Sequence, residues 1–286
     1  MNDPVTLVAV IGPVEPALLA AWCIHYQQLG VERFAIALHC PDLTGIPARN
    51  KLAALLREVT GSSPLLQVMG PWHEHTNGEL RDELRAHAGP GWHLLADSDE
   101  FQQHPDGLAA SVKVAHAARQ GVLGGLLLDR VAADGGFPAV TTDIDLDSAY
   151  PLGGLLTHRL LRGDPRKIVL AYCTVAVASG NHRAPGHRPD PTLVVPVHHF
   201  KWRHGIESAL RARVENFRTG QWTETTPAVR LEAERLLIHL AEHHGHLDVT
   251  GTEVPFRPVT LATVPPWWQD EARAVVEGWR PPHTRL

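Results

Sequence analysis

The stretch Trp92-His93-Leu94-Leu95-Ala96-Asp97-Ser98-Asp99-Glu100-Phe101 is the part of the chain that predicts its fold. Its first half, Trp92 to Ala96, is a short apolar run that indicates a buried strand. Three carboxylates follow within four positions, at the end of a strand, which is where open α/β sheets bind ligands. Carboxylates held this close repel one another unless a cation lies between them. The stretch therefore predicts a site for Mg²⁺ or Mn²⁺, which prefer oxygen ligands and bridge phosphates.

A simpler interpretation of the same residues stays open at this point. Acidic residues after a strand are common in turns, so Asp97 and Asp99 would then only cap a turn and the structure that follows it. The spacing alone does not separate a cation site from turn chemistry.

Three stretches resemble motifs of a known superfamily and occur in the same order. Leu94-Leu-Ala-Asp-Ser-Asp-Glu-Phe101 resembles the Asp-x-Asp-Glu-Phe motif of GT-A glycosyltransferases of families 2 and 92. Trp22-Cys-Ile-His-Tyr-Gln-Gln-Leu-Gly-Val31 resembles their early helix, and Val197-His-His-Phe-Lys201 resembles their late histidine segment. The resemblance spans about residues 5 to 205. It implies transfer of a sugar from a UDP- or GDP-type nucleotide sugar, with Mn²⁺ or Mg²⁺, to a small-molecule or glycan acceptor that the sequence does not identify.

The resemblance also implies roles for particular residues. Asp99 would ligate the metal, and Asp97 would face the ribose or a metal-bound water. His199 matches the late histidine, which contacts the metal or diphosphate, and His198 is its rival; the alternative is a pair of histidines without a role in the site. The residues assigned to the nucleotide sugar are Gly12, Pro13, Glu15, Asp42, Arg81, Asp97 and Ser98.

Three of these assignments have ordinary structural alternatives. Glu15 would equally be an acid favoured in the first turn of a helix. Asp42, which follows Pro41, fits a plain turn. Arg81, whose guanidinium would grip a diphosphate, would otherwise be a solvated helix residue.

Strand and helix patterns alternate along the first 130 residues. Such alternation, with apolar strands, indicates a mostly parallel sheet flanked by helices, the α/β class to which the Rossmann-like GT-A fold belongs. Beyond residue 205 the pattern becomes helical, with apolar residues recurring on one helical face. We expect a catalytic domain over residues 1–205 and a helical C-terminal extension over 206–286 that packs on it and offers a homodimer or acceptor surface. The expected strands are 5–11, 34–38, 65–69, 92–96 and 122–128.

Composition narrows the class of protein and its partners. The chain has 286 residues, 44% hydrophobic and 20% charged, and a formal charge of −5, which argues against nucleic acid as the main partner. No apolar run is long enough to span a bilayer. Asp3 and the lack of early basic residues argue against a secretory signal. Cys23, Cys40 and Cys173 lack CxxC spacing, so we expect thiols in a cytoplasmic protein.

An inverting transfer requires a base near the acceptor hydroxyl, and two carboxylates are candidates. Asp129 ends an apolar strand, although an ion pair with Arg130 would make it structural. Asp134 lies in Ala-Ala-Asp-Gly-Gly, within a loop over residues 131–151 that is long enough to suggest an acceptor pocket. Its alternative is an exposed turn. We prefer Asp134, with Asp143 or Asp145 next.

Two other function classes use the same residues. A metal-dependent phosphoester or nucleotide-sugar hydrolase would combine the acidic cluster with His182, His198 and His199, since carboxylate and histidine sites bind two metals for that chemistry. It predicts turnover without an acceptor. A non-catalytic nucleotide-sugar-binding protein predicts donor binding without turnover.

Overall fold

The computed structural model describes residues 5–280. Asp3 and residues 281–286, the end of the predicted extension, lie outside this range. The strands are β1 (Val5–Ile11), β2 (Arg33–Cys40), β3 (Leu66–Met69), β4 (Trp92–Leu95), β5 (Glu100–Gln102), β6 (Val122–Val131), β7 (Leu152–Gly154), β8 (Arg166–Tyr172), β9 (Val195–His199) and β10 (Arg257–Pro258). The helices are α1 (Pro16–Gln28), α2 (Ile46–Thr60), α3 (Thr76–Ala88), α4 (Leu108–Ala117), α5 (Leu146–Ala149), α6 (Leu156–Arg159), α7 (Ile206–Arg218), α8 (Ala228–Glu242) and α9 (Trp268–Gly278).

All the strands belong to one sheet with helices on both faces, which confirms the α/β class. The order is β10-β7-β6-β8-β4-β1-β2-β3, and β9 joins at β6 and carries β5. Parallel pairing joins β3, β2, β1 and β4, and also β6 and β9. The remaining pairs are antiparallel.

The alternation of β1 shows how the sheet divides two cores. Leu7, Ala9 and Ile11 belong to a cluster that includes residues of α1 and α2. Val8 and Val10 face the opposite way, in a cluster that includes residues of α3. Successive strand residues point to opposite faces, so both faces of β1 are apolar, as a covered central strand requires.

The helical C-terminal region is present and contributes to the sheet as well. α7 and α8 pack with Trp202 and with Val131 at the end of β6, whereas α9 packs on Leu126 and Leu128 of the same strand. β10 adds a short edge strand beside β7. The division at residue 205 and the dimer surface stay predictions. Within residues 5–280, none of the helices has the length and apolar character that crossing a bilayer would require.

Candidate functional site

The acidic stretch lies at the edge of the sheet where β1 and β4 end. Because β1 and β4 are parallel, the loop that starts at Gly12 lies beside the loop that starts at Ala96. β8 runs antiparallel to β4, with Leu94 opposite Leu170, so its amino end brings Lys167 to the same edge. The fold thus places one cation, unrecognised in the sequence, opposite the acidic loop.

The early helix holds the acidic loop in shape through two aromatic side chains. The Trp22 indole Nε1 donates a hydrogen bond to the Asp97 carbonyl oxygen at 2.9 Å. The Tyr26 hydroxyl donates to the Glu100 carbonyl oxygen at 2.9 Å and accepts from the Gln102 backbone nitrogen at 3.2 Å. Both rings are fully buried. They are therefore core residues whose polar ends fix the loop backbone.

Asp97 is bound to a buried ammonium group. Lys167 Nζ lies 3.0 Å from Asp97 Oδ2, 2.8 Å from Glu100 Oε1 and 3.0 Å from the Gly180 carbonyl oxygen. An ammonium has three donors, so this set of acceptors uses them all. Burial alone would lower the pKa of Lys167, but Asp97 and Glu100 outweigh it and raise that pKa above its usual value. Burial raises the pKa of Glu100 to about 7, with Lys167 acting against it.

Asp99 lies among different partners. Its Oδ2 is 3.5 Å from Arg203 Nη1 and 4.0 Å from His199 Nε2. Arg203 also donates from Nε to Glu15 Oε2 at 2.8 Å. Burial would raise the pKa of Asp99, but the charges of His199, Arg203 and Lys201 outweigh it and lower that pKa. Asp99 is therefore an ionised carboxylate beside an imidazole, at the edge where Glu15 enters from the β1 loop.

A buried carboxylate orients His199. Asp129 accepts hydrogen bonds from Thr157 N at 2.7 Å, Thr157 Oγ1 at 2.9 Å and Trp202 Nε1 at 2.9 Å. An indole nitrogen only donates, so Asp129 Oδ1 is an acceptor and His199 Nδ1, 2.9 Å from it, carries the hydrogen. The other nitrogen, Nε2, lies nearer Asp99. A carboxylate behind a histidine is the arrangement that fixes metal-binding imidazoles.

The geometry of Asp129 corrects its assignment as a candidate base. The residue is 0% exposed, and both of its oxygens accept hydrogen bonds. No acceptor hydroxyl can reach it. The alternative ion pair with Arg130 is absent among the described residues, because that guanidinium binds Asp147 at 2.8 Å.

His198 points away from Asp99, as alternation along β9 requires. It is 0% exposed. Its Nδ1 accepts from Arg130 Nη1 at 3.0 Å, and its Nε2 lies 3.2 Å from Gln103 Oε1. Burial, followed by the charge of Arg130, holds the pKa of His198 well below its usual value. Since neither nitrogen is available, the structure corrects the prediction of His198 as a metal ligand.

Arg81 supports a neighbouring segment and does not face the site edge. It is 4% exposed and donates to the carbonyl oxygens of Val177 and Ala178 and to Asn181 Oδ1. These bonds anchor the turn whose Gly180 carbonyl oxygen accepts from Lys167. The guanidinium is fully engaged, which corrects its assignment to a diphosphate.

The other predicted residues lie on loops. Asp42 caps its own turn, accepting from Thr44 N at 2.8 Å, and these bonds lower its pKa. Asp134 is exposed and accepts from Gly136 N at 2.9 Å. Gly12, Pro13 and Ser98 are in the loops after β1 and β4, with Gly12 and Ser98 half-buried and Pro13 exposed.

Asp99 and His199 are the two side chains at this edge that could hold a divalent cation. Within residues 5–280, no group of three or more His, Cys, Asp or Glu side chains is arranged to hold a metal. Asp99 Oδ2 and His199 Nε2 are 4.0 Å apart, and an ion about 2.1 Å from each donor spans up to about 4.2 Å. The remaining positions would be open to phosphate oxygens and water, which is how Mg²⁺ is commonly bound.

Sequence reasoning missed Lys167, Arg203 and the role of Trp202. Lys167 is the second residue of β8, and local sequence patterns do not show that β8 lies antiparallel beside β4. Arg203 and Trp202 follow the late segment directly, so their position next to His199 was the available signal.

Comparisons with known proteins return no matching family model and no matching curated protein. Among solved structures, HddC from Yersinia pseudotuberculosis is 13% identical with a TM-score of 0.26, covering 47% of this chain and 60% of its own. The chain thus spans less than two thirds of that protein. The mannosyltransferase PcManGT from Pyrobaculum calidifontis, solved with GDP-Man and Mn²⁺, is 15% identical with a TM-score of 0.36, covering 86% and 72%. The inositol-1-phosphate CTP transferase from T. maritima is 10% identical with a TM-score of 0.31, covering 97% of both. Because these TM-scores are below 0.5, we base the function on the site geometry and on the sequence motifs.

Proposed function

We propose that the protein is a metal-dependent glycosyltransferase that moves a sugar from a UDP- or GDP-type nucleotide sugar to an acceptor. The observation that carries this proposal is the pair Asp99 and His199, 4.0 Å apart, with Asp129 behind the imidazole. The pair lies at the carboxyl edge of the sheet. Asp99 and His199 also belong to two of the three ordered motifs that resemble those of GT-A glycosyltransferases.

Asp99 Oδ2 and His199 Nε2 would hold Mn²⁺ or Mg²⁺. When bound, the ion offsets charge that builds on the departing diphosphate. Arg203 and Lys201 add positive charge from the chain itself, since both interact with Asp99. Burial lowers the pKa of Lys201. Asp97, held by Lys167, would accept from the ribose or from a metal-bound water.

For an inverting reaction, Asp134 is the remaining candidate base. One of its oxygens caps the turn at Gly136, and the residue is exposed on the loop after β6. Asp134→Asn keeps the shape and removes the basicity. It should retain donor binding and lose most turnover; normal turnover would assign the base elsewhere or indicate a retaining mechanism.

The test of the metal pair is calorimetric titration of UDP and GDP, each with and without Mn²⁺. Wild type should bind at least one of them only with Mn²⁺, and Asp99→Ala should weaken that binding more than about 100-fold, because a direct ligand matters more than its supporting shell. Asp106→Ala, an exposed acid outside the cluster, is the matched control and should bind like wild type.

Wild-type affinity in Asp99→Ala would refute the proposed ligand. Turnover of the matching nucleotide sugar is then measured as the release of the nucleoside diphosphate. Release that is independent of every acceptor would indicate the hydrolase instead of the transferase.

A further inference from the structure

A cavity of about 650 Å³ lies next to the acidic edge. Gly124 and Gly125 of β6 line it, together with the start of β8, residues 182–190 and the end of α9. Its volume is in the range of small-molecule sites. A Cβ at Gly124 would lie 2.7 Å from Pro189 Cβ. The missing side chain therefore lets the proline-rich segment lie close over the sheet.

The cavity is basic although the chain carries a formal charge of −5. Five Lys or Arg residues line it against two acids, Asp190 and Glu277. Two of the cations are engaged: Lys167 by Asp97 and Glu100, and Arg166 by Asp164 at 2.7 Å. The other three, which make no ion pair within residues 5–280, are Arg183, Arg188 and Arg280.

We propose that this cavity binds a phosphate-bearing small molecule, with Arg183 and Arg188 holding the phosphate. A guanidinium binds phosphate in a bidentate way and carries its charge at any relevant pH. A phosphate alone would leave most of 650 Å³ unfilled, so the ligand carries an organic part of sugar size. The ring of Trp279, stacked at 3.9 Å by the Arg166 guanidinium, forms part of the wall against that organic part.

Lys167 belongs both to this cavity and to the acidic edge. It lines the cavity and lies 3.0 Å from Asp97 Oδ2. One side chain therefore separates the cavity from the acidic edge.

The experiment is calorimetric titration of the full chain, without nucleotide or metal, with glucose 1-phosphate, glucose 6-phosphate and glycerol 3-phosphate. Inorganic phosphate and glucose serve as the two halves of the ligand. At least one organic phosphate should bind at least tenfold more tightly than either half. Arg183→Gln/Arg188→Gln should weaken it about tenfold for each arginine removed, the scale of a charge-assisted hydrogen bond.

The matched control is Arg211→Gln/Arg218→Gln, which removes the same charge from two exposed arginines of α7 and should leave binding unchanged. Asp99→Ala should also leave it unchanged, so failure of the nucleotide site and failure of the cavity are distinguishable. The proposal would be overturned if none of the organic phosphates bound more tightly than inorganic phosphate. It would also be overturned if the control variant lost as much affinity as Arg183→Gln/Arg188→Gln.

Discussion

The two aspartates of the acidic stretch are two residues apart, yet their surroundings differ. Asp97 is bound to Lys167, a 3% exposed ammonium that it shares with Glu100. Asp99 has a guanidinium at 3.5 Å and an imidazole nitrogen at 4.0 Å, neither at ion-pair contact as short as that of Asp97. Asp97 and Glu100 are paired with a cation of the protein itself, whereas Asp99 and His199 are the pair that we propose for an external cation. A motif of like residues therefore divides into a holding half, Asp97 with Glu100 and Lys167, and a proposed binding half, Asp99 with His199.

Removing the internal cation should give the largest effect on stability. Lys167→Met leaves Glu100 buried without its partner, and breaking a buried pair costs about 3–5 kcal/mol. Urea denaturation should show this loss of unfolding free energy. Arg211→Met, which breaks an exposed pair with Glu207, should change stability by less than about 1 kcal/mol. Equal losses in both variants would remove the distinction between the halves.

Asp129→Asn tests the binding half. The carboxylate keeps His199 Nδ1 protonated and Nε2 turned towards Asp99, and loss of such a partner typically costs 10–100-fold in metal affinity. Titration of the nucleoside diphosphate with Mn²⁺ should show that loss. If Asn at this position binds the metal complex like wild type, the orientation of His199 is not what the site requires.

A pH series sharpens the comparison, because β5 carries Glu100 of one half and pairs with His199 of the other. His104 contacts Gln102 Oε1 of β5 at 3.2 Å, and burial lowers its pKa to about 4. A folded-state pKa below the unfolded value near 6.5 means that the unfolded chain binds more protons between these values. The stability contribution is therefore full above pH 6.5 and decreases as the pH falls towards 4.

Between pH 7 and 5.5, wild type should lose about 1 kcal/mol more stability than His104→Gln, in line with one pKa unit of linkage. Urea denaturation at both pH values measures the difference. The other titratable groups contribute equally to both proteins, except for His25, whose charge interacts with His104. Parallel losses in the two proteins would show that His104 does not titrate as proposed.

The fold was predictable where local patterns sufficed. The apolar run before Asp97 and the alternating strands and helices gave the α/β class. Which neighbours meet across the sheet was not predictable, since Lys167 reaches Asp97 only through the antiparallel placement of β8. The pairing of β9 with β5, which sets His199 opposite Glu100, was not predictable either.

The predicted roles of Asp129 and Arg81 were wrong for a common reason. Each was judged by residue type and by its place after a strand or on a helix. Whether a carboxylate or guanidinium is free for a ligand depends on contacts from distant segments, such as Thr157 for Asp129 and residues 177–181 for Arg81. Those contacts exist only once the chain is folded.

Hydrogen bonds from Trp22 and Tyr26 to the carbonyl oxygens of Asp97 and Glu100 make the early helix and the acidic loop one structural unit. Transplanting residues 97–102 into another scaffold without α1 would transfer the carboxylates and lose both backbone anchors. A designer who wants this loop must therefore transfer two segments separated by about 70 residues, because α1 fixes the backbone conformation of the loop.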